Sequence, residues 1–211
     1  MNETLLAKEQ VSINALKVLS RLSEHGYQAY LVGGSVRDIL LERTPKDFDV
    51  ATDAHPQDVH ELFRNSRLIG RRFKIVHVRF GRDIIEVATF RASKSIEEID
   101  QTESGLLLSD NDYGSFEEDV VRRDFTINAL YYSPDTLKVI DLVDGQADIK
   151  AKVIRLIGEP ESRYREDPVR MLRAIRFKTK LGFSIDPSSE QPMFKLGYLL
   201  QDISPARLFE E

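Results

Sequence analysis

Leu31-Val32-Gly33-Gly34-Ser35-Val36-Arg37-Asp38, with Lys46-Asp47-Phe48-Asp49-Val50 close behind it, is the stretch whose reading decides the fold. Tyr30-Leu31-Val32 reads as a buried strand, Gly33-Gly34 as its turn, and Val36 to Leu41 as a short helix with Arg37 in its first turn. Glycines at a helix entrance leave backbone N–H groups and the positive dipole end open to a phosphate, which makes Gly33, Gly34, Ser35 and Arg37 candidates for an anion cradle. Phe48 to Ala51 reads as the next strand. Asp47 and Asp49 then stand at i and i+2 on one face, with Cα atoms roughly 6.8 Å apart. Two hard oxygen donors so placed suit Mg²⁺, and a pair of ions about 3.5–4 Å apart is the arrangement that activates a hydroxyl and holds a triphosphate. Acidic pairs at turns are common, so the pattern acquires weight only from its surroundings.

Outward from this stretch, apolar residues at helical spacing (Val11, Ala15, Val18, Leu19, Leu22) predict a helix over 7–25 that stops at Gly26. Pro56 to Phe63 predicts another, and Leu68 to Phe90 at least two strands joined near Gly81-Arg82-Asp83. The fold class is α+β, a small mixed sheet flanked by helices. Glu86 is the one charge within Ile84-Ile85-Glu86-Val87-Ala88 and is expected to be a buried carboxylate whose natural partner is a metal; a solvated edge-strand carboxylate is the alternative. Ala92 to Ser115 reads as a long loop. After it the pattern turns helical from Asp124 to Tyr131, with short strands at Leu137 to Leu142 and Val153 to Leu156 and a strongly patterned helix from Pro168 to Leu181. A boundary near Gly158 separates a sheet-bearing domain, residues 1–157, from a helical one, residues 158–211.

Composition excludes several classes. The 211 residues contain no cysteine, so disulfides, thiolate zinc sites and cysteine nucleophiles are absent, and four scattered histidines do not suggest an imidazole metal site. No apolar run approaches a membrane span, and the opening Met1-Asn2-Glu3-Thr4 lacks the blocks of a signal peptide; a cytoplasmic location is expected. The net charge of −5 hides a partition. Residues 97–119 hold nine acidic residues and no Lys or Arg, read as a solvated loop, whereas residues 150–180 hold ten basic residues against four acidic.

The basic run is ordered. In Arg165-Glu166-Asp167-Pro168-Val169-Arg170-Met171-Leu172-Arg173-Ala174-Ile175-Arg176-Phe177, the arginines Arg170, Arg173 and Arg176 recur every three residues on one broad helix face, with Leu172 and Ile175 expected to face the core. Asp167 stands at the mouth of the row, and a carboxylate beside a guanidinium offers both acceptor and donor to a nucleobase edge. Arg122-Arg123-Asp124 precedes Phe125-Thr126-Ile127-Asn128-Ala129-Leu130. Asp124 is either an N-terminal cap or the residue that holds site geometry while Arg123 grips phosphate.

Taken in chain order, Gly33 to Asp38, Asp47-Phe48-Asp49, Arg122-Arg123-Asp124 with Thr126 to Ala129, and Glu166-Asp167 with Arg170 resemble the motifs of the polymerase-β-type nucleotidyltransferases of the bacterial poly(A) polymerase and CCA-adding family, class II. The resemblance runs from about Tyr30 to Phe177 and implies a polymerase-β-like head with a small mixed sheet, followed by an all-α neck that reads the incoming base. RNA-binding body and tail domains would follow in such a protein, and the last residues, Ser204 to Glu211, read as a helix only begun, so the chain is expected to be part of a longer one. The implied reaction is attack of an RNA 3′-hydroxyl on the α-phosphate of ATP. Asp47 and Asp49 would carry Mg²⁺ with Glu86 as a further carboxylate, and Asp124 would be the third catalytic residue. Gly34 and Arg37, with Arg123 nearby, would hold the triphosphate. Asp167 and Arg170, helped by Arg173 and Arg176, would select adenine. Leu68 to Val78, with its Arg71-Arg72-Phe73 core, and Arg163-Tyr164-Arg165 are similar to the poly(A) rather than the CCA-adding branch. A non-catalytic nucleotide- or RNA-binding regulator on the same fold is the reading from another class, and retention of both Asp47 and Asp49 argues against it.

Overall fold

A computed structural model describes residues 4–70, 74–92, 113–209 and 211. Helix α1 (Ile13–Glu24) starts at Ser12, whose hydroxyl accepts the Asn14 N–H at 3.2 Å, and buries Ala15, Val18, Leu19 and Leu22 as their spacing predicts. It packs under a sheet built from β1 (Ala29–Val32), β2 (Asp49–Thr52), β3 (Ser66–Ile69), β4 (Ile75–Phe80), β5 (Asp83–Thr89), β6 (Leu130–Ser133) and β7 (Lys138–Asp141). The strand order is β3-β4-β5-β2-β1-β6-β7, with β2 and β5 parallel and the other neighbours antiparallel. The sheet is thus mixed, as expected. Helix α2 (Gly34–Leu40) follows β1 through Gly33, whose φ of 77° is one that side chains disfavour, and helix α3 (Pro56–Leu62) follows β2.

Register fixes the two faces. Leu31, Val50, Val76, Val78, Ile85 and Val87 point to the large core beneath α1 and α3. Their neighbours line the opposite face, where one row crosses six strands: Tyr131, Val32, Asp49, Glu86, His77 and Arg67. Toward β6 this face is covered by a second apolar cluster containing Val32, Ala51, Phe90, Val120 and Tyr131. Val120 belongs to helix α4 (Phe116–Val121), which opens with a Ser115–Glu118 capping box. The acidic run therefore does not end as a solvated loop: its last residues are helical and Asp119 is buried. The rest of the expected loop, residues 93–112, and the Arg71-Arg72-Phe73 core lie outside the described residues.

The segment after Asp124 departs from the expected helix. Thr126–Asn128 is a single 3-10 turn and Leu130 to Ser133 enter the sheet as β6, because a strand buried on both faces shows no alternation to distinguish it from a buried helix. Helix α5 (Gly145–Ala151) packs so tightly on that turn that a Cβ at Gly145 would collide with the Thr126 carbonyl. Beyond it come β8 (Val153–Ile154), α6 (Pro160–Glu166), α7 (Val169–Leu181), β9 (Ser184–Ile185), α8 (Pro187–Leu196) and α9 (Pro205–Phe209). The expected boundary at Gly158 is no gap in packing. β8 pairs in parallel with β9, and Tyr164, Met171, Phe177 and Leu181 join the same core as Leu31 and Val50.

Candidate active site

Strand β1 ends at Val32 opposite Asp49, so the Gly33-Gly34 turn begins where β2 starts. Asp47 lies just before the strand rather than within it and is exposed. Asp49 is half-buried. It stands beside Glu86 in the parallel β2–β5 register, and burial, then the Glu86 carboxylate, with Asp47 adding to both, push its carboxyl up to about 6 despite the opposing pull of Arg123.

Glu86 corrects one expectation. Its side chain is 49% exposed and lies 3.2 Å from Nε2 of His77, because its neighbour Ile84 also faces the open side of the sheet. The carboxylate is neither buried nor alone. Among the described residues no three acidic or imidazole side chains converge to ion-binding geometry. The donor chemistry nevertheless suits a hard divalent cation. Asp49 is a carboxyl pushed up first by burial and then by the charges of Glu86 and Asp47, an electronegative setting that favours a hard divalent cation.

Asp119, absent from the sequence reading, organises the neighbouring cations. It is 1% exposed; one oxygen accepts from Arg122 Nε and Nη2 at 2.9 and 2.7 Å, the other from Arg123 Nη2 at 3.0 Å and the Tyr131 hydroxyl at 2.6 Å. Arg123 Nε in turn donates to Tyr131 at 2.6 Å, and its Nη1 lies 3.8 Å from where a Cβ on Gly33 would stand. Arg123 is thereby aimed at the glycine turn. Arg163 donates to the carbonyls of Arg122 and Arg123, fixing the same loop from the helical side. The i, i+4 spacing of Asp119 and Arg123 is the signal that was available for this hub.

Arg37 is only 2% exposed. Its guanidinium donates to Asn128 Oδ1 at 2.5 Å and to Asp38 at 2.7 and 2.8 Å, so it braces the turn under Gly34 instead of standing open to a ligand. Ser35 is buried too, its hydroxyl donating to the Val32 carbonyl at 3.2 Å. Asp124 caps no α-helix. One oxygen accepts the Phe125 N–H at 2.7 Å and Asn128 Nδ2 at 3.3 Å, the other Arg173 at 2.7–2.8 Å. The structure joins Asp124 to the arginine helix, while Glu86 is the carboxylate it brings to Asp49.

On α7 the core stripe is Met171, Ala174, Phe177 and Leu181, and Ile175 is 49% exposed, so the helix is rotated from the expected setting. Phe177 gathers three guanidiniums about its ring, Arg37, Arg173 and Arg176, at 5.3, 5.5 and 5.2 Å. Arg170 is buried, bonding the Arg163 carbonyl at 2.7 Å and Glu166 at 2.9 Å, an ion pair that holds the Glu166 carboxyl low against the opposing effect of its burial. Asp167 accepts Val169 N–H at 3.2 Å and Arg207 at 2.7 Å, and Glu211 bridges Arg173 and Arg176 at 3.0 and 2.9 Å.

The family described as "Poly A polymerase head domain" matches residues 29–155, and that described as "Probable RNA and SrmB- binding site of polymerase A" matches residues 182–211. Poly(A) polymerase I of Salmonella typhi is 58% identical over 98% of this chain and 45% of its own length. The CCA-adding enzyme of Bacillus subtilis is 42% identical over 94% of this chain and 49% of its own. The crystal structure of the Bacillus stearothermophilus CCA-adding enzyme in complex with CTP superposes with a TM-score of 0.78 at 38% identity, covering 90% of this chain and 44% of that one. The chain thus spans about half the length of the curated relatives it matches.

Proposed function

This chain belongs to the poly(A) polymerase head-domain family of nucleotidyltransferases, and from that premise we propose that it carries the catalytic and base-selecting part of a template-independent adenylyltransferase, which adds AMP from ATP to RNA 3′ ends. The observation that carries the reading is the pairing of Asp49 beside Glu86, with Asp47 just before the strand, next to the Gly33-Gly34 turn at which Arg123 is aimed. Magnesium bound there would lower the pKa of the attacking hydroxyl and neutralise the triphosphate.

The protein's own residues supply position. Asp47, Asp49 and Glu86 would hold the ions. Gly33 and Gly34 leave room for phosphate oxygens against the backbone, and Arg123, kept in place by Asp119 and Tyr131, balances their charge. Asp124 acts through Arg173 and Asn128, fixing the arginine helix against the head. Asp167 and Arg170 read the base, with Arg173 and Arg176 beside them; Asp167 exchanges its Arg207 contact for the nucleobase edge.

The 42% identity with a CCA-adding enzyme favours tRNA 3′-end completion as the second reading. One assay separates them. Given all four nucleoside triphosphates, Mg²⁺ and both a generic RNA and a tRNA lacking its 3′ end, the protein is expected to build a run of A on either. Addition of CCA followed by arrest would assign it to tRNA completion, and no incorporation into either RNA would leave the non-catalytic regulator.

A further inference from the structure

Asp49 divides the row across the sheet into two unlike halves. Toward β6 the face is closed by the second apolar cluster, and there lie the Gly33-Gly34 turn and Arg123. Toward β3 it is open. Glu86, Arg79 and Arg67 are exposed, and so are Ile84 and Ile69, at 43% and 39%, although Val76, Val78, Ile85 and Val87 on the reverse side of the same strands are buried. Arg79 stands opposite Ile84, and Arg67 opposite His77, whose Nε2 lies 3.2 Å from Glu86. Neither Arg67 nor Arg79 has an acidic partner among the described residues.

This strip is amphiphilic, two guanidiniums without carboxylates among exposed isoleucines, and it leads directly to Asp49. In an in-line displacement the nucleophile and the leaving group lie on opposite sides of the phosphorus. If the triphosphate occupies the Gly33-Gly34 and Arg123 side, the attacking hydroxyl arrives over β5, β4 and β3. The geometry points to this open half-sheet as the bed for the last nucleotides of a single-stranded RNA, with phosphates on Arg67 and Arg79 and a ribose or base against Ile84 and Ile69. The assignment of direction rests on the adenylyltransferase reading above; the charge complementarity does not. Charged side chains on an edge strand also serve to discourage sheet-to-sheet association, and such a role would leave RNA affinity untouched.

The test uses the full-length protein and its Arg67→Ser/Arg79→Ser variant, both surface positions. Binding of a fluorescent oligoadenylate is followed by anisotropy across a salt series without ATP, and steady-state extension is measured in parallel. The variant is expected to bind RNA about tenfold or more weakly, with the slope of log K against log salt reduced by roughly 1.4, about 0.7 for each single-strand phosphate that the two arginines no longer neutralise. Its KM for RNA should rise while its KM for ATP changes less than about twofold. Unchanged affinity and salt slope would overturn the bed. Loss of affinity in a protein whose wild type fails to incorporate AMP would keep the bed and overturn the adenylyltransferase reading instead.

Discussion

Asp49 and Asp119, both near Arg123, are shifted in opposite directions by their surroundings. Asp49 is held up to about 6 by burial and by Glu86, with Asp47 adding to them, so its charged form is disfavoured in the fold. Its contribution to stability therefore declines as pH rises from its ordinary value near 3.8 to about 6 and is level beyond. A divalent cation takes the deprotonated form, so the increase in thermal midpoint given by Mg²⁺ should be larger at about pH 7.5 than at about pH 5. Scanning fluorimetry at both pH values checks this; Asp49→Ala should erase the difference and abolish AMP incorporation in a folded protein. For Asp119 burial alone would raise the carboxyl, but Arg123, Arg122 and the Tyr131 hydroxyl outweigh it and hold it low. That contribution is present above the ordinary carboxylate range and is lost only as pH falls below it. Asp119→Asn is expected to cost about 3–5 kcal/mol in urea unfolding at neutral pH, to lose most of that difference at acid pH, and to raise the KM for ATP by releasing Arg123. An equal cost at all pH values would contradict the charge argument. The place of Asp49 at the start of β2, beside the glycine turn, was legible because a short apolar run bounded by turn residues is a short-range signal. Asp119 was hidden within an acidic run, its partners set by the fold of α4 onto β6.

Helix α7 shows what periodicity does and does not determine. The three-residue recurrence of Arg170, Arg173 and Arg176 correctly marks a helix with a basic flank, but neighbouring angular settings fit such a pattern about equally well. What decided the setting is Phe177, set edge-on to Phe125 at 5.7 Å and surrounded by Arg37, Arg173 and Arg176. Ile175 consequently faces solvent. Ile175→Asp should thus change unfolding free energy by no more than about 0.5 kcal/mol, whereas Phe177→Ala should cost about 3–5 kcal/mol. The reverse ranking in urea denaturation would restore the setting expected from the sequence. Strand β6 departs from the expected helix for a related reason: Leu130, Tyr131 and Tyr132 are all buried, and their pairing with β1 and β7 is what makes them a strand.

At the scale of the molecule, the chain order of head and arginine helix was readable, and their fusion into one packing unit was not. Contacts that close it join residues far apart in sequence: Leu156 N–H donates to the Ser189 hydroxyl at 3.0 Å, Arg155 links Asp148 to Asp186, and Arg173 reaches Asp124. Tyr164, wholly buried, donates to the Ser189 carbonyl at 2.8 Å. Local pattern carries no trace of such pairings: Gly158, with its positive φ of 85°, reads as a boundary, and apolar residues from both sides of it join one core. A protein cut to residues 1–157 would expose the face of the core that Tyr164, Met171, Ala174 and Phe177 cover and would leave β8 without its only strand neighbour in its two-stranded sheet. Each large apolar side chain removed from such a core withdraws about 1.5–3 kcal/mol, so their sum rivals the 5–15 kcal/mol by which a typical domain is stable. The truncated protein should therefore lose its cooperative thermal transition and bind an apolar dye, while residues 1–211 unfold in one step. A sharp, dye-free transition for residues 1–157 alone would make the head an independent domain and return the boundary to Gly158.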